Sequence, residues 1–381
     1  MTVTSIFTVA MVVLAAAALG ADEGPSSWRI YIGTYTGGES EGIYMLNMNA
    51  ATGELEHKGL AGAVENPSFL ALHPSRPLLY SVGRGTNAAG EPANLASAFA
   101  IDPDDGNLTL LNQESTVGAG PCHVAVDRAG RHILAANYGG GNAVVLPVDE
   151  DGSLNEASDF VQHEGASVHP RQQAPHAHAV QLDKAGNFAF IIDLGIDKIM
   201  VYRYDDEAGT LEPNDPPYAA LAPGAGPRHF AFHPAGRFAY VVNELDNTVT
   251  AFTYDADAGR LETIQTIGTL PEDFDEENTT AEICVHPSGR FVYASNRGHD
   301  SIAAFAVNPD TGMLTSVGQT ATGGRTPRNF NITPDGAFLV AANQQTDNIV
   351  VLRIDLDTGA LEDTGYSVDV PAPSCVLFYE R

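Results

Sequence analysis

Short apolar runs alternate with polar turns in an eleven-residue pattern that returns along the chain. Each copy opens on a turn containing proline or glycine and continues as a largely apolar strand, as in the stretch from His233 to Asn243. A tight turn followed by a strand-favouring run predicts part of a β-hairpin in every copy. Six copies begin at His73, Asp127, Asp183, His233, His286 and Thr333.

A second marker, glycine followed two positions later by leucine, recurs between the copies of the first. It predicts a second hairpin turn, so that each repeat supplies two hairpins, or four strands. Seven such units, spaced about fifty residues apart, predict an all-β fold, the seven-bladed β-propeller, with four antiparallel strands per blade. The marker glycines are Gly53, Gly106, Gly152, Gly209, Gly259, Gly312 and Gly359.

The two ends of the repeat region indicate how the ring closes. The C-terminal segment Cys375–Tyr379 matches only the first strand of a repeat, whereas Arg29–Thr34 matches a second strand. We therefore expect the last blade to be closed by N- and C-terminal strands, which leaves no incomplete blade with a bare edge. No boundary is visible between residues 21 and 381, so this range is predicted to be one propeller domain.

The first twenty residues differ from the rest of the chain because they carry no charge. Ile6–Leu19 is apolar but short for a bilayer span, and small residues precede Ala21 as at a signal-peptide cleavage site. We expect residues 1–20 to be a signal peptide and the mature protein to be exported, periplasmic or extracellular, after cleavage near Ala21. The usual basic residues are missing from this segment, so a retained N-terminal anchor is the alternative.

Charge and cysteine content narrow the possible partners. The chain has 48 acidic and 19 basic residues, a formal net charge of −29, which repels nucleic acid and anionic membranes. We expect neither as a partner of the mature form. Three cysteines make no disulfide framework, and the pair His176 and His178 lacks further ligands by spacing, so no metal is expected. A propeller of this size is predicted to be a monomer.

Side chains that break the repeat mark one face of the predicted ring. The start of each blade's first strand and the end of its second strand meet at one mouth of the central channel, where propeller loops vary and ligands bind. Glu244 and Arg297 come just after second strands. Three long segments, 84–98, 162–177 and 270–281, are predicted loops on this face. The first-strand positions carry Ser68, Cys122, His178, Arg228, Ala281, Arg328 and Ser374.

The repeat-breaking residues form a coherent chemical set. A carboxylate or imidazole can take a proton from water, and guanidinium groups can bind an anion or stabilise an oxyanion. The alternative is that the arginines pair structurally with acids such as Glu244. Catalytic roles are predicted for His178, Arg228, Glu244 and Arg297. Substrate-binding roles are predicted for Arg328, Asn243, Asn296 and Asn343, with strand-end capping as the alternative for the asparagines. A thiol nucleophile at Cys122 is disfavoured against a buried thiol.

The stretch Gly224–Val249, with its Gly-Pro-Arg-His and Asn-Glu elements, closely resembles the bacterial propeller-type 6-phosphogluconolactonases. That family includes the fungal 3-carboxymuconate lactonising enzymes. Pro175–His178, Ala294–Arg297 and Thr326–Asn331 extend the resemblance over essentially all of residues 29–381. The resemblance implies a seven-bladed propeller. From the lactonising branch it also implies active-site roles for His178, Arg228, Glu244 and Arg297, whereas Arg328 is predicted from its repeat position alone.

The resemblance implies hydrolysis of a sugar 1,5-lactone, 6-phosphogluconolactone or a relative, without a cofactor. Glu244, alone or with His178, would activate water. Arg228 and Arg297 would hold the carbonyl oxygen or product carboxylate, and Arg328 a phosphate or hydroxyls. Because the chain is expected outside the cytoplasm, an unphosphorylated aldonolactone is an alternative substrate. A lactonising isomerase and a non-catalytic propeller that binds a glycan, a polyanion or a protein are the alternative functions.

Overall fold

A computed structural model describes residue 1 and residues 26–87 and 89–379. The described residues form seven sheets, each of four antiparallel strands. This arrangement confirms the all-β, seven-bladed propeller that the repeats predict. The predicted signal peptide and its cleavage position near Ala21 lie outside the described residues, except for Met1. Among the described residues, no helix is long and apolar enough to cross a membrane.

Six blades are built from strands that are consecutive in the chain. The first contains β4 (Phe69–Leu72), β5 (Leu78–Thr86), β6 (Pro92–Ile101) and β7 (Leu108–Ser115). The second contains β8 (Pro121–Val126), β9 (His132–Asn137), β10 (Asn142–Pro147) and β11 (Asp159–Gln162). The third contains β12 (Ala177–Leu182), β13 (Phe188–Asp193), β14 (Lys198–Asp205) and β15 (Thr210–Ala220).

The remaining blades of this kind follow in chain order. The fourth contains β16 (Pro227–Phe232), β17 (Phe238–Asn243), β18 (Thr248–Asp255) and β19 (Arg260–Gly268). The fifth contains β20 (Thr279–Val285), β21 (Phe291–Arg297), β22 (Ser301–Val307) and β23 (Leu314–Ala321). The sixth contains β24 (Pro327–Ile332), β25 (Phe338–Asn343), β26 (Asn348–Ile354) and β27 (Leu361–Asp369).

The seventh blade joins both ends of the described chain. It contains β1 (Ser27–Thr34), β2 (Gly42–Asn49), β3 (Leu55–Ala63) and, as its first strand, β28 (Pro373–Tyr379). β28 pairs antiparallel with β1. This pairing is the predicted closure, and its main-chain hydrogen bonds complete the ring without a free inner edge.

Tight packing between neighbouring blades explains the glycine–leucine marker. Gly312 adopts a positive φ of 73°, and a Cβ at this position would lie 2.4 Å from Cδ1 of Phe238 in the preceding blade. Tyr240 Oη of that blade donates a hydrogen bond to the Gly312 carbonyl at 3.0 Å. Any larger residue would separate the two blades, so the marker records a contact as well as a turn.

The predicted long segments at the mouth are only partly loops. Segment 84–98 is largely strand, because β5 continues to Thr86 and β6 begins at Pro92, with cross-strand pairs throughout. The other two segments do contain loops, residues 163–176 between β11 and β12 and residues 269–278 between β19 and β20.

A repeated irregularity places side chains in the channel at the mouth. In most first strands the pairing register slips by one residue near the mouth end, for example between Pro227 and His229. Such a β-bulge bends the strand and redirects a side chain. The same slip occurs at Cys122, His178 and Arg328. Cys122 and Arg328 line the mouth of the channel and the next residues, His123 and Asn329, line it below, although plain strand alternation would turn one of each pair away.

Candidate active site

A cavity of about 570 Å³ occupies the mouth of the channel. Four of the predicted residues line it: His178, Glu244, Arg297 and Arg328. The starts of the first strands and the ends of the second strands therefore meet at this mouth, as predicted. Residues without a predicted role also line the cavity, and these include Tyr35, Arg84, Tyr138 and Arg171.

Glu244 lies at the centre of a cluster of three arginines. Its Oε1 is 2.6 Å from Arg171 Nη1, and its Oε2 is 2.9 Å from Arg228 Nε and 3.1 Å from Arg297 Nη2. The Glu244 side chain is 4% exposed. Both carboxylate oxygens are thus occupied by cations in a site that excludes most solvent, where such interactions are screened little.

The arginine cluster controls the charge of Glu244. Burial by itself raises the pKa of this carboxyl, but Arg297, Arg228 and Arg171 outweigh burial and hold the pKa at about 2. Glu244 is therefore ionised at all ordinary pH values, and it is a weak base. In this arrangement the carboxylate is better suited to holding the arginines in place than to taking a proton from water.

Arg228 supports the cavity from beneath. The residue is 2% exposed, and its Nη1 donates a 2.7 Å hydrogen bond to the Ala281 carbonyl. Its Nε faces Glu244 as an ion pair without hydrogen-bond geometry. Burial and the charges of Arg297 and Arg328 lower the pKa of Arg228 to about 9. Arg228 does not line the cavity, so the structure places it behind Glu244 and not against a substrate carbonyl.

His178 supplies a neutral imidazole to the cavity. Burial, followed by the charges of Arg228 and His229 and then Arg328, holds the pKa of His178 well below its usual range. The ring lies edge-on to Tyr138, with centroids 5.4 Å apart. Unlike Glu244, His178 has no ion pair among the described residues. A neutral imidazole without an ion-pair partner keeps a nitrogen lone pair that can accept a proton, although the lowered pKa makes it a weaker base than a free histidine.

Cys122 lines the cavity beside His178 but is poorly suited to attack a substrate. Its Sγ lies 3.2 Å from the His178 carbonyl oxygen. Burial raises the pKa of this thiol to about 12, despite the lowering effects of Arg228 and Arg328. Because the thiolate is the reactive form, this position fits the buried-thiol interpretation.

Two arginines on the cavity wall remain without an acidic partner. Among the described residues, Arg84 and Arg328 have no Asp or Glu within ion-pair distance. Arg328 instead packs over the Tyr35 ring, with its guanidinium carbon 5.3 Å from the ring centroid. Uncompensated guanidinium groups in a cavity of an acidic protein are suited to binding an anion.

The loop 163–176 brings Arg171 into the site, and Asp197 anchors this loop. Asp197 is 4% exposed. Its carboxylate accepts hydrogen bonds from Ser167 and Gln172 of the loop and from the backbone of Gly224 and Gly226. One buried carboxylate thereby ties the Arg171 loop to the segment that leads into Arg228, so both arginines approach Glu244 in fixed positions.

The three predicted asparagines lie in the scaffold. All three are fully buried and none lines the cavity. Asn243 Nδ2 donates to Thr248 and Thr250, at 2.8 and 3.0 Å. Asn296 and Asn343 donate to the carbonyls of Thr269 and Thr322. Their amides hold the ends of second strands, so the predicted substrate contact has no geometric support and the capping alternative fits.

Across residues 26–87 and 89–379, no group of three or more His, Cys, Asp or Glu side chains is arranged to hold a metal ion. Within this range His176 is engaged elsewhere, because its ring stacks on Tyr138 with centroids 4.4 Å apart.

Comparison with known proteins places this chain in a family. Residues 29–378 match the family described as lactonase, seven-bladed β-propeller. The chain belongs to this family. It is 41% identical over 300 residues to the 6-phosphogluconolactonase of Bacillus subtilis (strain 168), which covers 79% of this chain and 83% of the relative.

Two further proteins are similar to this chain over most of their length. The 6-phosphogluconolactonase of Formosa agariphila is 33% identical over 310 residues, which is 80% of this chain and 86% of the relative. A periplasmic gluconolactonase from Pseudomonas aeruginosa has a solved structure that superposes with a TM-score of 0.87 at 34% identity. The superposition covers 93% of this chain and 99% of that chain.

Three of the cavity residues that had no predicted role in this lactonase-family chain are functional candidates: Arg84, Tyr138 and Arg171. Arg171 lies in a loop of irregular length, where comparison between repeats offers no equivalent position. Arg84 lies on the unexpected strand extension of β5. Tyr138 was visible at a strand end, and its hydroxyl receives a 3.2 Å hydrogen bond from Arg171 Nη2. Basic residues are scarce, with 19 in the whole chain. An arginine in a segment predicted to be a loop on the mouth face was therefore a usable signal for a functional residue.

Proposed function

We propose that this chain hydrolyses a sugar 1,5-lactone to the corresponding aldonate, with 6-phosphogluconolactone or a close relative as the substrate. The observation that carries this proposal is a cavity at the mouth that is lined by a neutral His178 and by several arginines. Lactone hydrolysis needs a proton acceptor for water and a positive environment for the oxyanion. Membership of the lactonase family and the names of the similar proteins support the same reaction.

In the proposed mechanism His178 takes a proton from the attacking water. Arg297 and Arg171 line the cavity beside Glu244 and are suited to stabilise the oxyanion that forms on the lactone carbonyl. The ring C–O bond then breaks, and the leaving oxygen takes, through water, the second proton of the attacking water. The products are an aldonate with a free hydroxyl and one proton held by His178. Glu244 acts here as the shared anion that holds the arginines, because its pKa of about 2 makes it a poorer base than the sequence prediction assumes.

Arg84 and Arg328 are proposed to bind the anionic part of the substrate. They are the cavity arginines without acidic partners in the described chain, so a phosphate would supply the missing charge. Arg328 is also one of the charges that lower the pKa of His178. A bound phosphate would offset this charge and make His178 a better base. This electrostatic coupling favours a phosphorylated lactone over its neutral analogue.

Export of the protein would favour an unphosphorylated sugar lactone as the substrate. The sequence predicts a signal peptide over residues 1–20, and one similar protein is a periplasmic gluconolactonase. We propose export on these grounds, with cleavage near Ala21 and a monomeric mature form. In that compartment an unphosphorylated gluconolactone is the alternative substrate, and its hydroxyls would occupy the space near Arg84 and Arg328.

Hydrolysis can be measured by proton release from purified residues 21–381. 6-Phosphogluconolactone and gluconolactone are supplied side by side, and the spontaneous rate is subtracted. We expect acceleration of at least one lactone, with the phosphorylated one preferred. No acceleration of either would contradict the proposal. Product analysis after incubation with a carboxymuconate would then test the lactonising isomerase, and binding of glycans or polyanions would test the non-catalytic propeller.

A further inference from the structure

A second layer of polar residues lies one position deeper in the channel than the mouth residues. At the bulges of three blades, the residues that follow Cys122, Arg228 and Arg328 face the channel. These residues are His123, His229 and Asn329, and the equivalent position of the fifth blade carries Glu282. The proposed hydrolytic mechanism uses none of them.

His229 and Glu282 form a buried hydrogen-bonded pair in this layer. His229 Nδ1 lies 2.9 Å from both carboxylate oxygens of Glu282. His229 is 4% exposed and Glu282 is 7% exposed. Asn329 Nδ2 and the Ile283 backbone amide donate further hydrogen bonds to the carboxylate. Burial of a carboxylate is costly unless it is hydrogen-bonded, and these contacts hold Glu282 in one position.

The pair lies directly beneath the base of the proposed reaction. The His229 ring is edge-on to the His178 ring, with centroids 5.2 Å apart. Because Nδ1 of His229 is engaged with Glu282, only Nε2 remains for exchange, and this buried nitrogen has no hydrogen-bond partner among the described residues. His229 therefore packs against the His178 ring, has a free Nε2 and is held at Nδ1 by a carboxylate.

A second cavity, of about 440 Å³, begins at this pair. It is lined by His123, His229, Glu282 and Asn329 and extends to Pro287 in a turn at the opposite end of the blade from the mouth. This volume is enough for several water molecules, at about 30 Å³ each. The carboxylate thus separates the mouth cavity from a space that leads toward the other face of the propeller.

Hydrolysis of a lactone at neutral pH yields an aldonate and one proton. In the proposed step this proton is on His178, and a mouth lined by four arginines is an unfavourable exit for a positive charge. We propose that His229 and Glu282 form a proton relay, in which His178 passes the proton to His229 Nε2, and His229 passes its Nδ1 proton to the Glu282 carboxylate. The relay rests on the proposed lactone hydrolysis. Water in the second cavity then removes the proton from Glu282.

The groups that face Glu282 set the pH at which it can accept the proton. Burial raises the pKa of Glu282 to about 7, although Arg228, His123 and Asn329 lower it. His229 is neutral, because burial and then Arg228 hold its pKa well below the usual range. The remaining titratable neighbours are the thiols of Cys284 and Cys375, which burial keeps protonated. Glu282 therefore accepts protons above about pH 7 and is already protonated below it.

The relay predicts a specific change in the pH–rate profile. In the wild-type protein, kcat for lactone hydrolysis should rise through about pH 7 as Glu282 ionises. Glu282→Gln should lower kcat by about 10-fold to 100-fold, below the larger effects expected for a direct acid or base. It should also abolish the rise near pH 7 and leave KM unchanged. His229→Gln, with no transferable imidazole proton, should do the same.

A control variant and a spectroscopic measurement separate the relay from a structural role. Glu114 also has a raised pKa, through burial and Glu156, but lies on β7 away from the channel, so Glu114→Gln should keep the wild-type profile. The infrared spectrum of the wild-type protein should contain a carboxyl band that the spectrum of Glu282→Gln lacks. This band should titrate near pH 7. Turnover by Glu282→Gln with an unchanged profile, or no band titrating between pH 6 and 8, would overturn the relay alone. A wild-type protein without lactone turnover would overturn the proposed function as well.

Discussion

Two buried glutamates in one channel have opposite acid–base properties. Glu244 in the mouth cavity and Glu282 in the layer below are both almost inaccessible to solvent. Three arginines contact Glu244, and its pKa falls to about 2. Glu282 has neutral hydrogen-bond partners, and its pKa rises to about 7. Burial is similar in the two places, so the charged neighbours decide which carboxyl stays ionised.

The comparison assigns different tasks to the two carboxyls. A permanently ionised Glu244 can fix the positions of cations that a reaction needs, and it cannot readily take a proton. Glu282, poised near neutral pH, can take and release one. The residue type does not separate these roles, because both residues are glutamates and only their neighbours in the folded chain differ.

Removing the charge of Glu244 should have the largest effect on activity. Glu244→Gln leaves Arg171, Arg228 and Arg297 without their shared anion, and they should repel one another out of position. We expect kcat/KM for lactone hydrolysis to fall by about 100-fold to 1,000-fold, the range for loss of a preorganised oxyanion contact. Initial rates of the folded variant measure this effect. A loss smaller than that of Glu282→Gln would reverse the ranking of the two carboxyls.

The two substitutions should change stability with opposite pH dependence. The lowered pKa of Glu244 corresponds to roughly 3 kcal/mol of stability, fully present above the unfolded pKa near 4.5 and lost as pH falls through about 2. Glu244→Gln should therefore be most destabilising at neutral pH and less so near pH 3. The raised pKa of Glu282 acts in the other sense, with stability present below about 4.5 and lost as pH rises through about 7.

Denaturant unfolding across the pH range measures this pair of effects. Relative to the wild-type protein, Glu282→Gln should become steadily more favourable between pH 5 and pH 8, while Glu244→Gln should not. Parallel pH profiles for the two variants would show that the charged neighbours do not distinguish the carboxyls.

Arg328 and Arg84 allow a test of the substrate charge. Arg328→Ala or Arg84→Ala should reduce kcat/KM for 6-phosphogluconolactone by about 10-fold to 100-fold, the value of a hydrogen bond to a charged group. The same variants should change gluconolactone turnover by less than about threefold, because that substrate has no phosphate. Equal losses with both lactones would remove these arginines from phosphate binding.

The smallest expected effect is at Asp197, which anchors the Arg171 loop. Asp197→Asn keeps the size of the side chain but weakens its hydrogen bonds to Gln172 and Gly226. We expect kcat/KM to fall by about threefold to tenfold, in line with the net value of single hydrogen bonds. The double variant with Asp197→Asn and Arg171→Ala should lose little more activity than the variant with Arg171→Ala alone. A double-mutant cycle measures this difference. Fully additive losses would mean that Asp197 does not act through Arg171.

The fold was predictable because its local signals repeat. Gly312 shows why: its turn needs a positive φ, and its contact with Phe238 leaves no space for a side chain. A constraint that recurs in every blade leaves a periodic mark in the sequence. Closure by β28 and β1 was predictable for the same reason, since each terminal segment matched a different strand of the repeat.

The site was predictable only where a repeat position could be compared between blades. His178, Glu244, Arg297 and Arg328 each differ from the residues at the same position of most other blades, and all four line the mouth cavity. The asparagines illustrate the converse, because a residue that recurs at one position usually serves the scaffold. Arg171 has no equivalent position in other blades.

The position of Glu282 in the channel could not be predicted from the sequence, for a different reason. Regular alternation along a strand turns neighbouring side chains to opposite faces. The bulge in β20 breaks this alternation between Thr280 and Ile283, and the register slip is set by pairing with β21. The local sequence of β20 therefore does not reveal that Glu282 joins His229 in the channel.

The most direct test of the central claim is the initial rate of lactone hydrolysis by the wild-type protein and by His178→Gln, each corrected for the spontaneous reaction. We expect the wild-type protein to accelerate hydrolysis and His178→Gln to lose about 100-fold or more of that acceleration, with an unchanged circular dichroism spectrum. Equal rates for the two proteins, or no acceleration by the wild-type protein, would contradict the assignment of lactone hydrolysis to this cavity.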